Sequence, residues 1–354
     1  MMDSMSSPAV ASKAKAMYGN RLKKEDYEEL VRKNSVGEVA SYLKNETDYG
    51  STLQDIYENK IHRGQLEALI RENMFRKTLK ILKFAQLTKN EFYRLNLIQR
   101  EIDIILMAIR SIIPEKYEEL EEERHDDLVK GMPLFLSEYI TFEMSEIPNI
   151  KSFNDVLKIL DKTPYHEILL PYNVDNSEKI DYTALERDLQ SYYYNYVFRV
   201  IEKTFKGKRK NELMEMYKTQ IELSNIIKIY RFKKFFKVTD EEIRKAMIAS
   251  NSRLSRAILD ELIALPTAEA VLKALEDSKY HLYVDDQDYV FIEYYANEIR
   301  YNLAKRYMHF SIDAPMIYTS YVILLDIEVQ NLTNIIEGIR YETPKSEIEK
   351  MLIY

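Results

Sequence analysis

Apolar residues recur at three- and four-residue steps along most of this chain, the spacing of one buried face of an α-helix. Over residues 65–82, Leu66, Leu69, Ile70, Met74, Leu79 and Leu82 fall near one stripe, while Arg71, Lys77 and Lys80 lie off it. That segment is predicted to be a long amphipathic helix. Residues 23–33 predict a shorter opening helix. Only seven glycines and nine prolines interrupt 354 residues, so the expected fold class is all-α.

The helix signals repeat. A Ser or Thr that should start a helix stands at Ser35, Ser152 and Thr267, at intervals of 117 and 115 residues. Each opens an apolar run that closes on a Thr/Ser-x-Tyr ending in Tyr49, Tyr165 or Tyr280. A Leu/Ile-Glu step follows at Leu66-Glu67, Leu185-Glu186 and Ile292-Glu293. A further glutamate comes 34, 36 and 35 residues later, at Glu101, Glu222 and Glu328. The distance from the tyrosine to the first glutamate varies more, at 18, 21 and 13 residues, as expected of a surface connection. Each repeat reads as a capped short helix, a variable loop and two long helices. Ser35-x-x-Glu38 and Ser152-x-x-Asp155 set an acid in the first turn behind the cap, whereas Thr267-x-x-Ala270 keeps the cap alone.

Three repeats predict three similar helical lobes, at 1–130, 131–250 and 251–354. The opening helix has an alternative place in the third lobe, because the two chain ends of a closed ring of repeats can meet. A chain of 354 residues also exceeds the roughly 250–300 residues that one hydrophobic core serves.

Composition narrows the chemistry. A net charge of −7 disfavours generic nucleic-acid binding. The absence of cysteine removes disulfides, thiolate metal sites and a cysteine nucleophile, in keeping with a reducing compartment. No signal peptide is read at the N-terminus, and the most apolar runs, 102–109 and 321–327, are far short of the roughly 20 residues of a membrane span. No glycine pair has the spacing of a phosphate loop, and the five histidines are scattered. Neither a cofactor nor direct nucleotide binding is expected.

The best metal candidates are His125-Asp126-Asp127 and Asp285-Asp286-Gln287-Asp288, the basis of a less favoured reading as a Mg²⁺-dependent all-α enzyme. Both adjoin solvated or variable segments. Two basic stretches, 203–210 and 231–237, offer Lys208, Arg209, Lys210, Arg231, Lys233 and Lys234 as candidate partner contacts. Phe232, Phe235 and Phe236 in the second stretch are expected to be core positions. The sharpest local feature is a polar pair, Glu222-x-x-Asn225 and Glu328-x-x-Asn331, whose first-repeat counterpart is Glu101 with Ile104 in place of the amide. It is read as a buried tie between helices in preference to a ligand site.

Together these positions resemble the C-type central-stalk component of V/A-type rotary ATPases, the family that includes its eukaryotic d-type counterpart. The likeness runs from Ala14-Lys15-Ala16-Met17 through Leu22, Tyr27, Leu30, Ser35, Glu38, Leu43, Thr47 and Tyr49. It ends in Glu328-Val329-Gln330-Asn331-Leu332 and Ile339-Arg340. The resemblance implies a pseudo-threefold funnel of three helical lobes on the cytoplasmic face of the membrane. It also implies a non-catalytic rotor adaptor between the central shaft, made of the D and F subunits, and the membrane rotor ring. A generic helical-repeat scaffold for soluble partners is the competing expectation.

Overall fold

The computed structural model describes residues 3–114, 134–174, 176–236, 238–276 and 292–354. Every regular element among the described residues is helical, so the chain is all-α, as the three- and four-residue steps demand. In chain order the α-helices are α1 Asp3–Gly19, α2 Lys24–Val31, α3 Val36–Glu46, α4 Gly50–Leu53, α5 Arg63–Phe84 and α6 Leu95–Ser111. Next come α7 Phe153–Ile159, α8 Pro164–Leu169, α9 Tyr182–Thr204, α10 Gly207–Phe235, α11 Asp240–Ala246, α12 Arg256–Ala264 and α13 Ala268–Glu276. The last are α14 Ile292–Phe310, α15 Ala314–Arg340 and α16 Lys345–Glu349. The helix expected over 65–82 is α5.

The expected caps form. Ser35 accepts the Glu38 amide at 3.2 Å, and Thr267 accepts the Ala270 amide at 3.1 Å. Ser152 makes a full capping box, its hydroxyl accepting the Asp155 amide at 3.3 Å while the Asp155 carboxylate accepts the Ser152 amide at 3.1 Å. Each satisfies a first-turn N–H that has no partner inside the helix.

The long helices also stop for local reasons. At the end of α5, Gln86 takes a left-handed φ of 58° and the Leu87 amide reaches back to the Leu82 carbonyl at 2.8 Å. At the end of α15, Glu342 takes a φ of 53° and the Thr343 amide reaches the Gly338 carbonyl at 2.8 Å. Both are Schellman ends with a side chain where glycine is the usual occupant. Pro315 starts α15 without cost, because a first-turn residue has no helical acceptor for its N–H.

Contacts divide the chain into two compact units, one of Met1–Thr163 with Tyr301–Tyr354 and one of Pro164–Arg300. In the first, a core gathers Tyr27 and Leu30 from α2, Leu43 from α3, Leu66 and Ile70 from α5, Leu332, Ile335 and Ile336 from α15, and Ile348 from α16. The start of the chain thus packs on its last long helix. In the second unit, a core gathers Ile226 and Ile229 from α10, Ile243 from α11, Leu259 and Leu262 from α12, Val271 and Leu272 from α13, and Ile292 from α14.

The two cores have one plan. The end of a long helix is followed by a short helix, then two further short helices, then the first turn of the next long helix. In the second unit this plan runs through continuous chain, from α10 to α14. In the first it is split, with α15 and α16 supplied by the end of the chain and α2, α3 and α5 by its beginning. Fully burying a side chain such as Leu30 or Ile229 contributes about 1.5–3 kcal/mol, so each core is a substantial store of stability.

Gly338 sets the closeness of α16. A Cβ built on it would lie 2.5 Å from Cδ1 and Cγ1 of Ile348, so only a residue without a side chain lets α16 seat where it does.

Candidate functional site

The repeated spacing of the polar positions becomes a set of buried fasteners. Tyr321, Glu328 and Asn331 are seven and three residues apart on α15 and share its buried face. Glu328 Oε1 accepts the Tyr49 hydroxyl at 2.8 Å, and Oε2 accepts the Leu22 backbone N–H at 3.1 Å. The Lys77 ammonium lies 3.6 Å from Oε1 and 4.9 Å from the Tyr49 ring centroid. A buried carboxylate is tolerable only when opposite charge and donors surround it, and all three are supplied here. Burial pushes the Tyr49 hydroxyl well above its usual range, and the negative charge of Glu328 pushes it further. Tyr27 and Tyr321 are raised by the same two causes in the same order.

One turn along, Asn331 Nδ2 donates to the Ile353 carbonyl at 2.7 Å while Oδ1 accepts the Ile353 N–H at 3.0 Å. The side-chain amide thus satisfies both backbone groups of Ile353. In the second unit Asn225 repeats the clamp, donating to the Ile248 carbonyl at 2.9 Å and accepting the Ile248 N–H at 3.0 Å. Twenty-two and twenty-three residues separate each asparagine from its target.

The other glutamates are also spent on structure. Glu101 accepts the Thr141 N–H at 2.7 Å, so it holds the chain between α6 and α7 as Glu328 holds the turn before α2. Ile104, in place of an asparagine, is fully buried. Glu222 has the Arg253 guanidinium 3.5 Å from Oε2, and the same guanidinium donates to Thr219 Oγ1 at 3.1 Å. In both units the glutamate and the asparagine contact chain segments outside their own helix. Tyr165 is buried edge-on to Tyr192 at 5.7 Å. Tyr280 lies outside the described residues, as do both carboxylate clusters, 125–127 and 285–288.

Nine residues after Glu328 and Glu222 the charges are exchanged. Glu337 pairs with Arg63 at the start of α5, whereas Arg231 pairs with Glu293 at the start of α14, at 3.8 Å. A long-helix end and a long-helix start are tied in both units with opposite polarity.

Sequence periodicity misplaced some side chains. Lys77, expected on the polar side of its helix with Arg71 and Lys80, has a side chain only 12% exposed and faces Glu328. The signal was present, since Lys77 stands seven residues after buried Ile70 and four before buried Ile81, but a lysine is not counted when an apolar stripe is traced. Phe235 and Phe236, expected in the core with Phe232, are 68% and 54% exposed because α10 ends there, beyond the core. Only Phe232 packs against the core.

The basic stretches differ. Lys233 and Lys234 pair within their own unit, with Asp240 at 3.7 Å and Glu269 at 2.6 Å, as Arg231 does with Glu293. Lys208, 88% exposed, pairs with Glu212 one helical turn on, at 3.8 Å; Arg209 is exposed beside the Phe205 ring, and Lys210 is half-buried. Lys237 lies outside the described residues. Among the described residues no group of three His, Cys, Asp or Glu side chains could hold a metal ion, and no helix is long and apolar enough to cross a membrane.

Comparison with known proteins places the chain among relatives of similar length. The C-type subunit of the A-type ATP synthase of Archaeoglobus fulgidus is 23% identical over 97% of this chain and 95% of its own length. Its counterpart in Methanobrevibacter smithii is 24% identical over 97% of this chain and 87% of its own length. The one in Methanosarcina mazei is 23% identical over 73% of this chain and 67% of its own. The profile of the ATP synthase (C/AC39) subunit matches residues 10–351. A match of that extent takes in nearly the whole chain, and the chain belongs to the ATP synthase (C/AC39) subunit family.

Proposed function

We propose that this chain is a non-catalytic rotor adaptor of a V/A-type ATPase. In this reading it joins the central shaft, made of the D and F subunits, to the membrane rotor ring on the cytoplasmic face. Torque passing through it couples ATP hydrolysis or synthesis to translocation of protons or sodium ions. Three helical lobes, at 1–130, 131–250 and 251–354, with the chain ends sharing one, would form a pseudo-threefold funnel around the shaft. The observation that carries the reading is the family match over residues 10–351. It is supported by polar side chains committed to internal ties: Glu101, Glu222, Asn225, Glu328 and Asn331 all hold backbone or side chains of the protein itself.

A mechanical coupling needs stiffness and broad contact more than a reactive group. Helices of 22 to 29 residues, cross-tied by ion pairs and amide clamps, suit that duty. Lys208, Arg209 and Lys210, at the start of α10, and Arg231, Lys233 and Lys234, at its end, are the proposed partner contacts.

The test is deletion of the protein from its ATPase. The soluble head should retain ATP hydrolysis while ATP-driven ion uptake into inverted vesicles is lost. Uptake at the undeleted rate would overturn the adaptor role, and pull-down from native membranes that recovers soluble proteins without shaft or ring subunits would do the same.

A further inference from the structure

In the first unit a cleft of about 420 Å³ opens beside Glu328, between the α1–α2 turn, α5, α14 and α15. Ligand pockets span roughly 300–1,000 Å³, so its size suits a small molecule. Its charge is one-sided. Arg21, Lys23, Lys24, Lys77 and Lys305 line it, against one acidic side chain among the described residues, that of Glu328.

That carboxylate is already spent. Glu328 is engaged by the Tyr49 hydroxyl, the Leu22 amide and the Lys77 ammonium, and so presents little negative charge to the cleft. The four other cations keep theirs. Among the described residues Lys24 has one acidic contact, an exposed i,i+4 pair with Glu28 at 3.7 Å. Arg21 lies over the Tyr18 ring at 4.3 Å and donates to the Tyr18 carbonyl at 3.2 Å, and Lys305 lies 4.9 Å from the Tyr301 ring centroid. These contacts fix the side chains without neutralising them. In a chain of net charge −7, cations gathered from two separate segments, with the exposed Glu28 beside Lys24 as their one acidic contact among the described residues, are a local anomaly. A further polar group waits at the wall. Tyr321 is 1% exposed, and its hydroxyl has no hydrogen-bond partner among the described residues. A buried hydroxyl normally has one, and leaving it unmet is unfavourable.

We propose that this cleft binds the multiply charged phosphate group of a small soluble ligand, held between Arg21 and Lys24 on one side and Lys305 on the other. A planar carboxylate offers its acceptors in one plane. A tetrahedral phosphate, and more so a diphosphate, offers them in several directions at once, which suits cations arriving from different elements. Binding would tie the α1–α2 turn to α14. No catalysis is implied, and the inference stands whether or not the rotor reading holds.

Inorganic pyrophosphate is the probe, titrated into the full-length protein by calorimetry and by thermal melting at fixed ionic strength. The expected result is saturable binding and a saturable rise in melting temperature. Affinity should fall by about tenfold or more in the double variant Arg21→Gln/Lys305→Gln, which loses two charge-assisted contacts. Lys24→Gln and Tyr321→Phe should each weaken binding measurably. Citrate at matched ionic strength should give no comparable effect. The proposal is overturned if citrate stabilises as much as pyrophosphate, or if the double variant melts normally and binds unchanged. Should the double variant fail to melt cooperatively, the single variants decide, and unchanged affinity in both would overturn it. Ion uptake by the assembled ATPase is a separate measurement, so this failure is distinct from failure of the adaptor role.

Discussion

The hydroxyl of Tyr49 donates to the carboxylate of Glu328 across 279 residues of sequence, at 2.8 Å and out of solvent. The bond fastens the turn between α3 and α4 to α15, the last long helix. Tyr49→Phe should destabilise the first unit by about 1.5–3 kcal/mol, the worth of a hydrogen bond to a charged group. Glu328→Ala should cost about 3–5 kcal/mol, because it strands the Lys77 ammonium in a buried site. Urea denaturation measures both. Hydrogen exchange gives a sharper signature, since the Leu22 amide, which donates to Glu328, should lose protection in Glu328→Ala and retain much of it in Tyr49→Phe.

The repeat spacing made the caps, the long helices and the identity of the polar positions legible in the sequence. The partner of each position was not legible. Tyr49 and Glu101 fall in the same repeat, yet Tyr49 bonds Glu328 and Glu101 bonds the Thr141 amide. Repeat arithmetic counts along the chain, whereas the core of the first unit closes on residues from both chain ends. Lys77 was invisible for another reason, because a cation on a buried face is stable only beside a carboxylate that sequence places 251 positions away. The exchange of charge between Arg63–Glu337 and Arg231–Glu293 was equally hidden, since neither member keeps its sign from one unit to the other.

Alkaline pH should unfold the protein through its tyrosines. Burial raises Tyr194 to about 12, burial and then Asp26 raise Tyr42 to about 12, and Tyr27 and Tyr49 are raised well above their usual range. Unfolded tyrosine titrates near 10. Above that pH the unfolded chain releases protons that the native chain retains, so it binds fewer protons and stability falls as pH rises. The contribution is complete below about pH 10 and is lost progressively toward pH 12 and beyond. Urea midpoints should therefore show this decline beginning near pH 10, and Tyr194→Phe should make it shallower. A decline of unchanged slope in Tyr194→Phe would contradict the assignment.

Gly338→Ala should destabilise the first unit although alanine is the better helix former. The added methyl would meet the Ile348 side chain at 2.5 Å, forcing α16 outward. Overpacking of this kind costs about 1–3 kcal/mol, more than the 0.5–1 kcal/mol that alanine gains over glycine in a helix. Ile348 is itself a core residue, so Ile348→Ala has its own cost, and the double variant Gly338→Ala/Ile348→Ala should lose less than the sum of the two single losses. Additive losses would mean that the strain lies elsewhere.

Gln86→Gly and Glu342→Gly should act in the opposite direction. Both residues hold left-handed φ, 58° and 53°, at Schellman ends where a Cβ is unfavourable. Each glycine should stabilise by about 0.5–1 kcal/mol after its extra unfolded-chain entropy is counted, read as a raised urea midpoint.

The two asparagine clamps allow a comparison within one molecule. Asn331→Ala and Asn225→Ala each remove two hydrogen bonds from a buried backbone segment, at Ile353 and Ile248. Each should cost about 1–3 kcal/mol, the penalty for leaving buried peptide groups unmet. Their consequences differ because the chain differs. Ile353 lies just past α16, so Asn331→Ala should loosen residues 350–354 and raise amide exchange in α16 while α15 stays protected. Beyond Ile248 the chain runs on into α12, whose Leu259 and Leu262 belong to the same core, so Asn225→Ala should loosen the loop between α11 and α12 without detaching either helix. The clamps share no partner, so the losses in the double variant should add to within about 0.5 kcal/mol. Exchange confined to 344–354 in one variant and to 247–255 in the other would establish each amide as the fastener of its own core. Equal exchange throughout both units would mean that the clamps are incidental to a fold held by its apolar contacts alone.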